Sequence, residues 1–155
     1  MRITTRGRYA LRACLAMAKL GAGNGPVSIN YLSEQENISS VFLEQIFFKL
    51  RKAGIVSSIR GPGGGFRFAQ PLKKLRVKQI LEAAGENLDI VFCDKRNDYC
   101  GKVGECISHQ VWVDLNELVK KYFDSITLAS ILEKYGNKMP RQGTVTIDPE
   151  AEKHE

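Results

Sequence analysis

A glycine-rich run at residues 60–65 constrains the fold more than any other feature of this chain. The run reads Arg-Gly-Pro-Gly-Gly-Gly, so five of its six residues are glycine or proline. Such a run continues neither a helix nor a strand, and two short β-type runs, Ile55 to Ile59 and Phe66 to Ala69, lie on either side of it. The sequence therefore predicts a two-stranded hairpin with residues 60–65 at its tip.

Three helices are predicted before this hairpin. The first spans residues 5–20 with Thr5 as its cap, Ser28 caps a short second helix, and Ser39 caps a third that runs to about Ala53. Apolar residues recur at i, i+3, i+4 and i+7 of the third helix, at Leu43, Ile46, Phe47 and Leu50. Helices followed by a hairpin predict a winged helix-turn-helix, a mainly α fold with a small β-hairpin wing.

Further helices are predicted at residues 77–84, 108–122 and 124–135. The helix of residues 108–122 carries a broad apolar stripe that we expect to form a homodimer, made of Val111, Trp112, Leu115, Leu118, Val119 and Tyr122. The chain then divides into a DNA-binding domain at 1–84, a cysteine-bearing loop at 85–107, dimerisation helices at 108–135 and a polar tail at 136–155, predicted to be disordered.

The charge of the chain is divided unequally between its two halves. Residues 1–78 contain fourteen Lys or Arg and three acids, a balance of +11, whereas residues 79–155 have a balance of −5. A basic half that coincides with a predicted helix-turn-helix favours binding to double-stranded DNA over a chance distribution of solubilising charge.

The third helix is the one expected to enter the major groove, because the second helix of a helix-turn-helix pair reads the bases. Its face opposite the apolar stripe carries Ser40, Val41, Glu44, Gln45 and Phe48. Gln45 can pair with adenine, Glu44 can accept from the cytosine amino group, and Val41 can touch a thymine methyl. A carboxylate near phosphates is repelled unless it finds a donor, so Glu44 would also disfavour sites that lack a suitable cytosine.

Basic and flexible positions around that helix are predicted to contact the DNA backbone. Lys49 and Arg51 follow the base-reading positions, and Arg2 and Arg8 lie at the start of the first helix. The flexible backbone of the glycine-rich tip, including Gly63, allows close approach, with Arg60 entering a minor groove or contacting phosphate. A nucleotide-binding loop is the alternative, but no G-K-[ST] follows the glycines and the run joins two strands.

Three cysteines and a histidine form the second chemical feature of the chain. Cys93, Cys100, Cys106 and His109 have the spacing C-x6-C-x5-C-x2-H within a polar segment. Three thiols and an imidazole favour a four-ligand metal site over free thiols. An iron–sulfur cluster or zinc fits this donor set, although zinc sites use shorter gaps between cysteines. Cys14 lies in an apolar helix and is interpreted as a core residue.

Several classes of protein are disfavoured by the sequence. No apolar run approaches the ~20 residues of a membrane span, and no secretory h-region follows Met1, so we expect a cytoplasmic protein without a membrane partner. No nucleophile and base are paired by any motif, so we predict no enzyme. An iron–sulfur electron carrier and a zinc-stabilised DNA-binding module remain as alternatives, but an electron carrier leaves the basic half unexplained.

The chain resembles the IscR-type iron–sulfur-sensing transcription regulators of bacteria over about residues 1–135. The resemblance is carried by four segments together with the three cysteines and His109. These segments are Met-Arg-Ile-Thr-Thr-Arg-Gly-Arg-Tyr-Ala at 1–10, Leu-Glu-Gln at 43–45, Leu-Arg-Lys-Ala-Gly at 50–54, and Arg-Gly-Pro-Gly-Gly-Gly-Phe at 60–66.

The resemblance implies a dimeric winged-helix regulator that carries a [2Fe–2S] cluster on Cys93, Cys100, Cys106 and His109. It implies control of iron–sulfur assembly or related stress genes, with Glu44 helping the clusterless form to reject one operator class. The palindromic operator is expected from the homodimer itself, because two reading helices about 34 Å apart, one turn of DNA, suit a palindromic site. The first cysteine gap here is six residues, where similar proteins often have five.

A sibling group is similar but senses nitric oxide or redox state with a [4Fe–4S] cluster. Members of that group tend to take an oxygen ligand from near the N-terminus. The first acidic residue of this chain is Glu34, and His109 follows the cysteines at a ligand spacing. The resemblance therefore favours the [2Fe–2S] form, with the [4Fe–4S] repressor as the alternative.

Overall fold

The computed structural model describes residues 3–20, 25–91 and 105–136. Six helices and one antiparallel hairpin are found in these ranges, which confirms the predicted mainly α fold with a β wing. The elements in chain order are α1 (Thr5–Leu20), α2 (Ile29–Glu36), α3 (Ser40–Lys52), β1 (Val56–Ile59), β2 (Gly65–Phe68), α4 (Val77–Ala84), α5 (His109–Ser125) and α6 (Leu128–Tyr135). In the described part of the chain, no helix is both long and apolar enough to cross a membrane.

The helices α2 and α3 form the helix-turn-helix, and local backbone and side-chain contacts determine where α2 begins and ends. The Ser28 hydroxyl accepts from the Tyr31 N–H at 3.2 Å, and Asn37 ends α2 in the left-handed region with a φ of 50°. Ser39 occupies the predicted position before α3, but its hydroxyl makes no capping hydrogen bond. The prediction that Thr5 caps α1 is wrong, because the helix begins at Thr5 and the residue before it accepts the first helical bond.

The apolar stripe of α3 forms the centre of the main core, as predicted. Leu43, Ile46, Phe47 and Leu50 are fully buried. The Phe47 ring lies 4.9 Å from the ring of Phe66 on β2, so the helix and the hairpin share one core. Packing of this stripe leaves the opposite face of α3 to solvent.

The hairpin is joined to the helices by backbone bonds as well. Val27 and Phe66 exchange both N–H···O bonds at 2.8 Å, so the segment before α2 extends the hairpin. A Cβ on Gly65 would lie 2.4 Å from the Val27 carbonyl oxygen, and one on Gly64 would lie 2.3 Å from that of Ile59. Two of the glycines are therefore required by close backbone approach.

The last two helices differ in their bounds from the prediction. Helix α5 continues to Ser125, and α6 begins only at Leu128, because the Thr127 hydroxyl caps it by accepting from the Ser130 N–H at 3.1 Å. Leu128 is fully buried in the main core, so α6 packs on the helix-turn-helix unit. The predicted division into 1–84, 85–107, 108–135 and 136–155 stays a prediction.

Candidate DNA interface and cluster segment

The predicted base-reading face of α3 is accessible. Val41 is 62% exposed and Phe48 is 54% exposed. Glu44 and Gln45 lie between them and are also exposed, whereas Ser40 is half-buried at the helix start. Packing of the apolar stripe thus presents all five side chains away from the core, where a major groove could receive them.

The predicted phosphate-contacting residues of α3 make different contacts. The Lys49 ammonium donates to the Ala84 carbonyl at 3.4 Å, at the C-terminus of α4, where the helix dipole favours a cation. Arg51 is exposed, and its Nη1 lies 3.4 Å from the Ser58 Oγ on β1. Arg51 therefore faces the wing, while Lys49 bonds to the C-terminal end of α4.

The remaining predicted DNA contacts lie at two other points of the molecule. Arg8 is exposed on α1, and its Nη2 donates to the Thr5 hydroxyl at 3.3 Å. Arg60 and Gly63 are exposed at the tip of the hairpin, where Gly63 has a φ of 75° and open space around it. Arg2 lies outside the described residues.

A buried glutamate that was not predicted from the sequence forms hydrogen bonds with the start of α1. The Glu86 carboxylate accepts from the Thr4 N–H at 3.0 Å, the Gly7 N–H at 3.1 Å and the Thr4 hydroxyl. Burial alone would raise the pKa of Glu86, but these hydrogen bonds and the nearby Arg6 guanidinium lower it below its usual range. Glu86 is thus a charged cap on a helix that begins 81 positions earlier in the chain.

The segment that follows Glu86 is connected to α5 by an ion pair and hydrogen bonds. Leu88 is buried against α4, and Asp89 forms an ion pair with Lys120. The Asn116 amide oxygen accepts from the Ile90 N–H at 2.7 Å, and its Nδ2 donates to the Val91 carbonyl at 2.8 Å. Asn116 is only 1% exposed, so its amide is a buried link between α5 and residues 90–91.

Two of the four predicted cluster ligands lie together where α5 begins. The His109 N–H donates to the Cys106 carbonyl at 3.1 Å, and the Cys106 Sγ lies 3.3 Å from the Ser108 Oγ. The side-chain hydrogen bond with Ser108, followed by that with the Ser108 N–H, lowers the pKa of the exposed Cys106 thiol. Cys93 and Cys100 lie outside the described residues. Within the described ranges no three His, Cys, Asp or Glu side chains come together as a metal site.

Cys14 has the opposite character. It is fully buried in the main core, and burial raises the pKa of its thiol to about 12. A thiol in this environment stays protonated and packs as a small apolar group, as predicted for this residue.

The apolar stripe of α5 faces outward. Val111, Leu118 and Tyr122 are each more than 60% exposed and Trp112 is 37% exposed, while Leu115 and Val119 are half-buried. Large apolar side chains grouped on one helix face are typical of a protein–protein interface. The stripe is therefore available to a partner.

Comparisons with known proteins agree with this arrangement. The family model of Rrf2, described as an iron-dependent transcriptional regulator, matches residues 3–134. A protein named as an HTH-type transcriptional regulator in Neisseria meningitidis serogroup A is 42% identical over 137 residues, which are 88% of this chain and 91% of that protein. The HTH-type transcriptional regulator IscR of Photobacterium profundum is 39% identical over 132 residues, 85% of this chain and 76% of that protein.

A solved structure supports the same assignment. The structure of T. potens IscR superposes with a TM-score of 0.70 at 29% identity, covering 92% of this chain and 94% of that one. These relatives regulate transcription and are not enzymes, as predicted for this chain. The chain belongs to the Rrf2 family and is a transcriptional regulator of the IscR type.

Proposed function

We propose that this regulator binds a palindromic DNA operator as a homodimer, and that an iron–sulfur cluster, in its [2Fe–2S] form, controls that binding. The proposed ligands are Cys93, Cys100, Cys106 and His109. The observation that carries the proposal is the position of Cys106 and His109, which share a backbone hydrogen bond at the start of α5. The exposed apolar stripe of the same helix is suited to a second copy. The target genes proposed are those of iron–sulfur assembly or related stress responses.

The described donor atoms suit such a cluster. Thiolates and imidazole nitrogens are established ligands of iron–sulfur clusters, and the lowered pKa of Cys106 favours the thiolate. Cys106 is exposed and His109 is half-buried, so neither side chain is enclosed in the core. When bound, the cluster supplies a redox-sensitive group whose presence reports the supply of iron and oxidants.

A series of hydrogen bonds connects the region of these ligands to the DNA-binding half of the chain. Cys106 and His109 share a backbone hydrogen bond where α5 begins, and Asn116 of the same helix holds the backbone of residues 90–91. Four residues earlier, Glu86 caps α1, which carries Arg8. Residues 86–91 thus connect α5 to the start of α1. A shift of α5 would be transmitted through this segment to α1.

Metal content tests the cluster directly. We expect protein purified without oxygen to contain about two irons and two sulfides per chain and to show a red-brown multi-band absorption spectrum. Cys106→Ala should lose both while remaining folded, whereas the matched control Cys14→Ala should keep both. Four irons per chain would support the [4Fe–4S] repressor, and stoichiometric zinc without colour would contradict cluster control.

Two exposed valines test the dimer. Val111 on α5 and Val41 on α3 are 61% and 62% exposed, so glutamate at either position adds the same charge in a similar environment. We expect Val111→Glu to give monomers in sedimentation experiments and Val41→Glu to stay dimeric. Two reading helices in a dimer would lie about 34 Å apart, one turn of DNA. If Val111→Glu remains dimeric, the α5 stripe is not the interface.

A further inference from the structure

Phe48 on α3 is a large aromatic side chain that the core does not explain. It is 54% exposed, although it follows directly after the fully buried Phe47. Val41 is the other large apolar residue of α3 that is strongly exposed, whereas most of the remainder lie on or near α5. The α5 group is accounted for by the proposed dimer, and Phe48 is not.

The position of Phe48 along α3 matches that of a base contact. Val41, Glu44, Gln45 and Phe48 are spaced at i, i+3, i+4 and i+7. The same spacing is used by the four groove-reading positions of the homeodomain recognition helix. Since i+3, i+4 and i+7 positions share one face of a helix, a groove that receives Gln45 also receives the Phe48 ring one turn further along.

Two cations lie over the Phe48 ring. The Arg51 Cζ lies 5.7 Å and the Lys52 Nζ 5.9 Å from the ring centroid. Arg51 is itself within hydrogen-bond distance of Ser58 on β1, so the ring, the guanidinium and the wing form one connected group. An apolar ring close to two cations fits a groove in which apolar base groups lie near phosphates.

We propose that Phe48 is a specificity-determining residue that contacts the C5-methyl group of a thymine in the major groove. Phenylalanine is one of the side chains that recognise this methyl group, and only thymine presents it in ordinary DNA. The proposal rests on the proposed operator binding. DNA is preferred to a protein partner because Phe48 lies in the half of the chain with a balance of +11 and has two basic side chains close to its ring.

Removal of single methyl groups from DNA tests this contact. Binding sites are first selected from random double-stranded DNA with the purified full-length protein, and each thymine is then replaced by deoxyuridine, which lacks only the methyl group. Dissociation constants are measured by fluorescence anisotropy for the wild type, Phe48→Ala, Phe48→Leu and Tyr135→Ala. Tyr135 is a matched control because it is 46% exposed on α6 with a lysine ammonium 5.2 Å from its ring.

One thymine per half-site should depend on Phe48. For the wild type and Tyr135→Ala, deoxyuridine there should weaken binding about fourfold, the factor that corresponds to about 0.8 kcal/mol for one buried methyl group. Phe48→Ala should reduce that factor to less than about 1.5, and Phe48→Leu should keep part of it. The other thymines should respond alike in all variants.

Three results would overturn the inference. If Phe48→Ala still binds selected sites and every deoxyuridine effect is unchanged, operator binding stands but the thymine contact does not exist. If Phe48→Ala weakens all DNA equally, the ring acts on the fold or on the phosphates and carries no specificity. Failure of the wild type to select any sequence would overturn the proposed operator binding together with this contact. Circular dichroism confirms that each variant is folded.

Discussion

Gly7→Ala on α1 is expected to destabilise the protein, although alanine is the better helix former. A Cβ at this position would lie 2.6 Å from the Glu86 Cγ and 2.8 Å from its Oε1. Real Cβ atoms do not approach other heavy atoms so closely, so the Glu86 side chain must move. It then loses hydrogen bonds from the Gly7 N–H and from Thr4, which hold the carboxylate at the start of α1.

The size of the effect follows from two opposing contributions. A hydrogen bond to a charged group stabilises by about 1.5–3 kcal/mol, and displacement of Glu86 breaks at least one. Alanine in place of glycine gains about 1 kcal/mol in a helix, and the backbone of Gly7 is not in the left-handed region, so no strain is added. For one broken bond we expect a net loss of about 0.5–2 kcal/mol. For a chain of this length, that is about 1–8 °C in Tm.

Urea unfolding followed by circular dichroism, at one fixed protein concentration, measures the loss. The matched control is Gly136→Ala, where φ is −57° and the nearest atom to a new Cβ is 3.9 Å away, so stability should change by less than about 1 kcal/mol. In a Glu86→Ala background the clash is absent, and Gly7→Ala should become neutral or stabilising. A coupling free energy below about 0.5 kcal/mol, or a stabilising Gly7→Ala in the wild type, would refute the reasoning.

Three more predictions follow from burial and hydrogen bonding. The pKa of Glu86 is lowered in the folded state, so its contribution is present above the ordinary carboxyl pKa and is lost as the pH falls through the folded pKa. Glu86→Gln should therefore be less stable than the wild type at pH 7, and the difference should shrink as the pH is lowered toward 3 in urea unfolding; an equal difference at both pH values would contradict this. Cys14, with a pKa of about 12, should escape iodoacetamide in the native protein and react in urea, as peptide mass spectrometry can show. Gly65→Ala should open the bridge to Val27 and cost more stability than Gly63→Ala, whose Cβ would meet open space, in the same unfolding assay.

The sequence predicts best those features that are determined by neighbours along the chain. The buried stripe of α3 and the Ser28 cap both follow from residues within one or two helical turns. The hairpin is predicted by its glycine-rich tip, and both observed strands lie within one residue of the predicted ranges. The helix bounds that failed, at the end of α5 and the start of α6, depend on how far α5 continues before Thr127 caps α6.

The features that the sequence does not reveal depend on contacts between distant residues. Glu86 follows the last residues of α4 and looks like a solvated acid, yet it caps a helix some 80 positions away. One signal was available, because Gly7 stands inside an otherwise alanine-rich helix, where glycine is costly without a packing reason. Asn116 gave a weaker signal, an amide in the middle of a helix rich in apolar residues.

Asn116 also explains why the most apolar stripe of α5 faces outward. Burial of apolar area alone would favour turning Val111, Leu118 and Tyr122 toward the core. Turning the helix would, however, take the buried amide of Asn116 away from residues 90–91, and an unpaired buried amide costs about 1–3 kcal/mol. The Lys120 ion pair with Asp89 lies one turn further along and opposes the same rotation. The polar contacts of Asn116 and Lys120 thus fix the orientation of α5 within the chain. They leave the apolar stripe of α5 to the second copy of the proposed dimer.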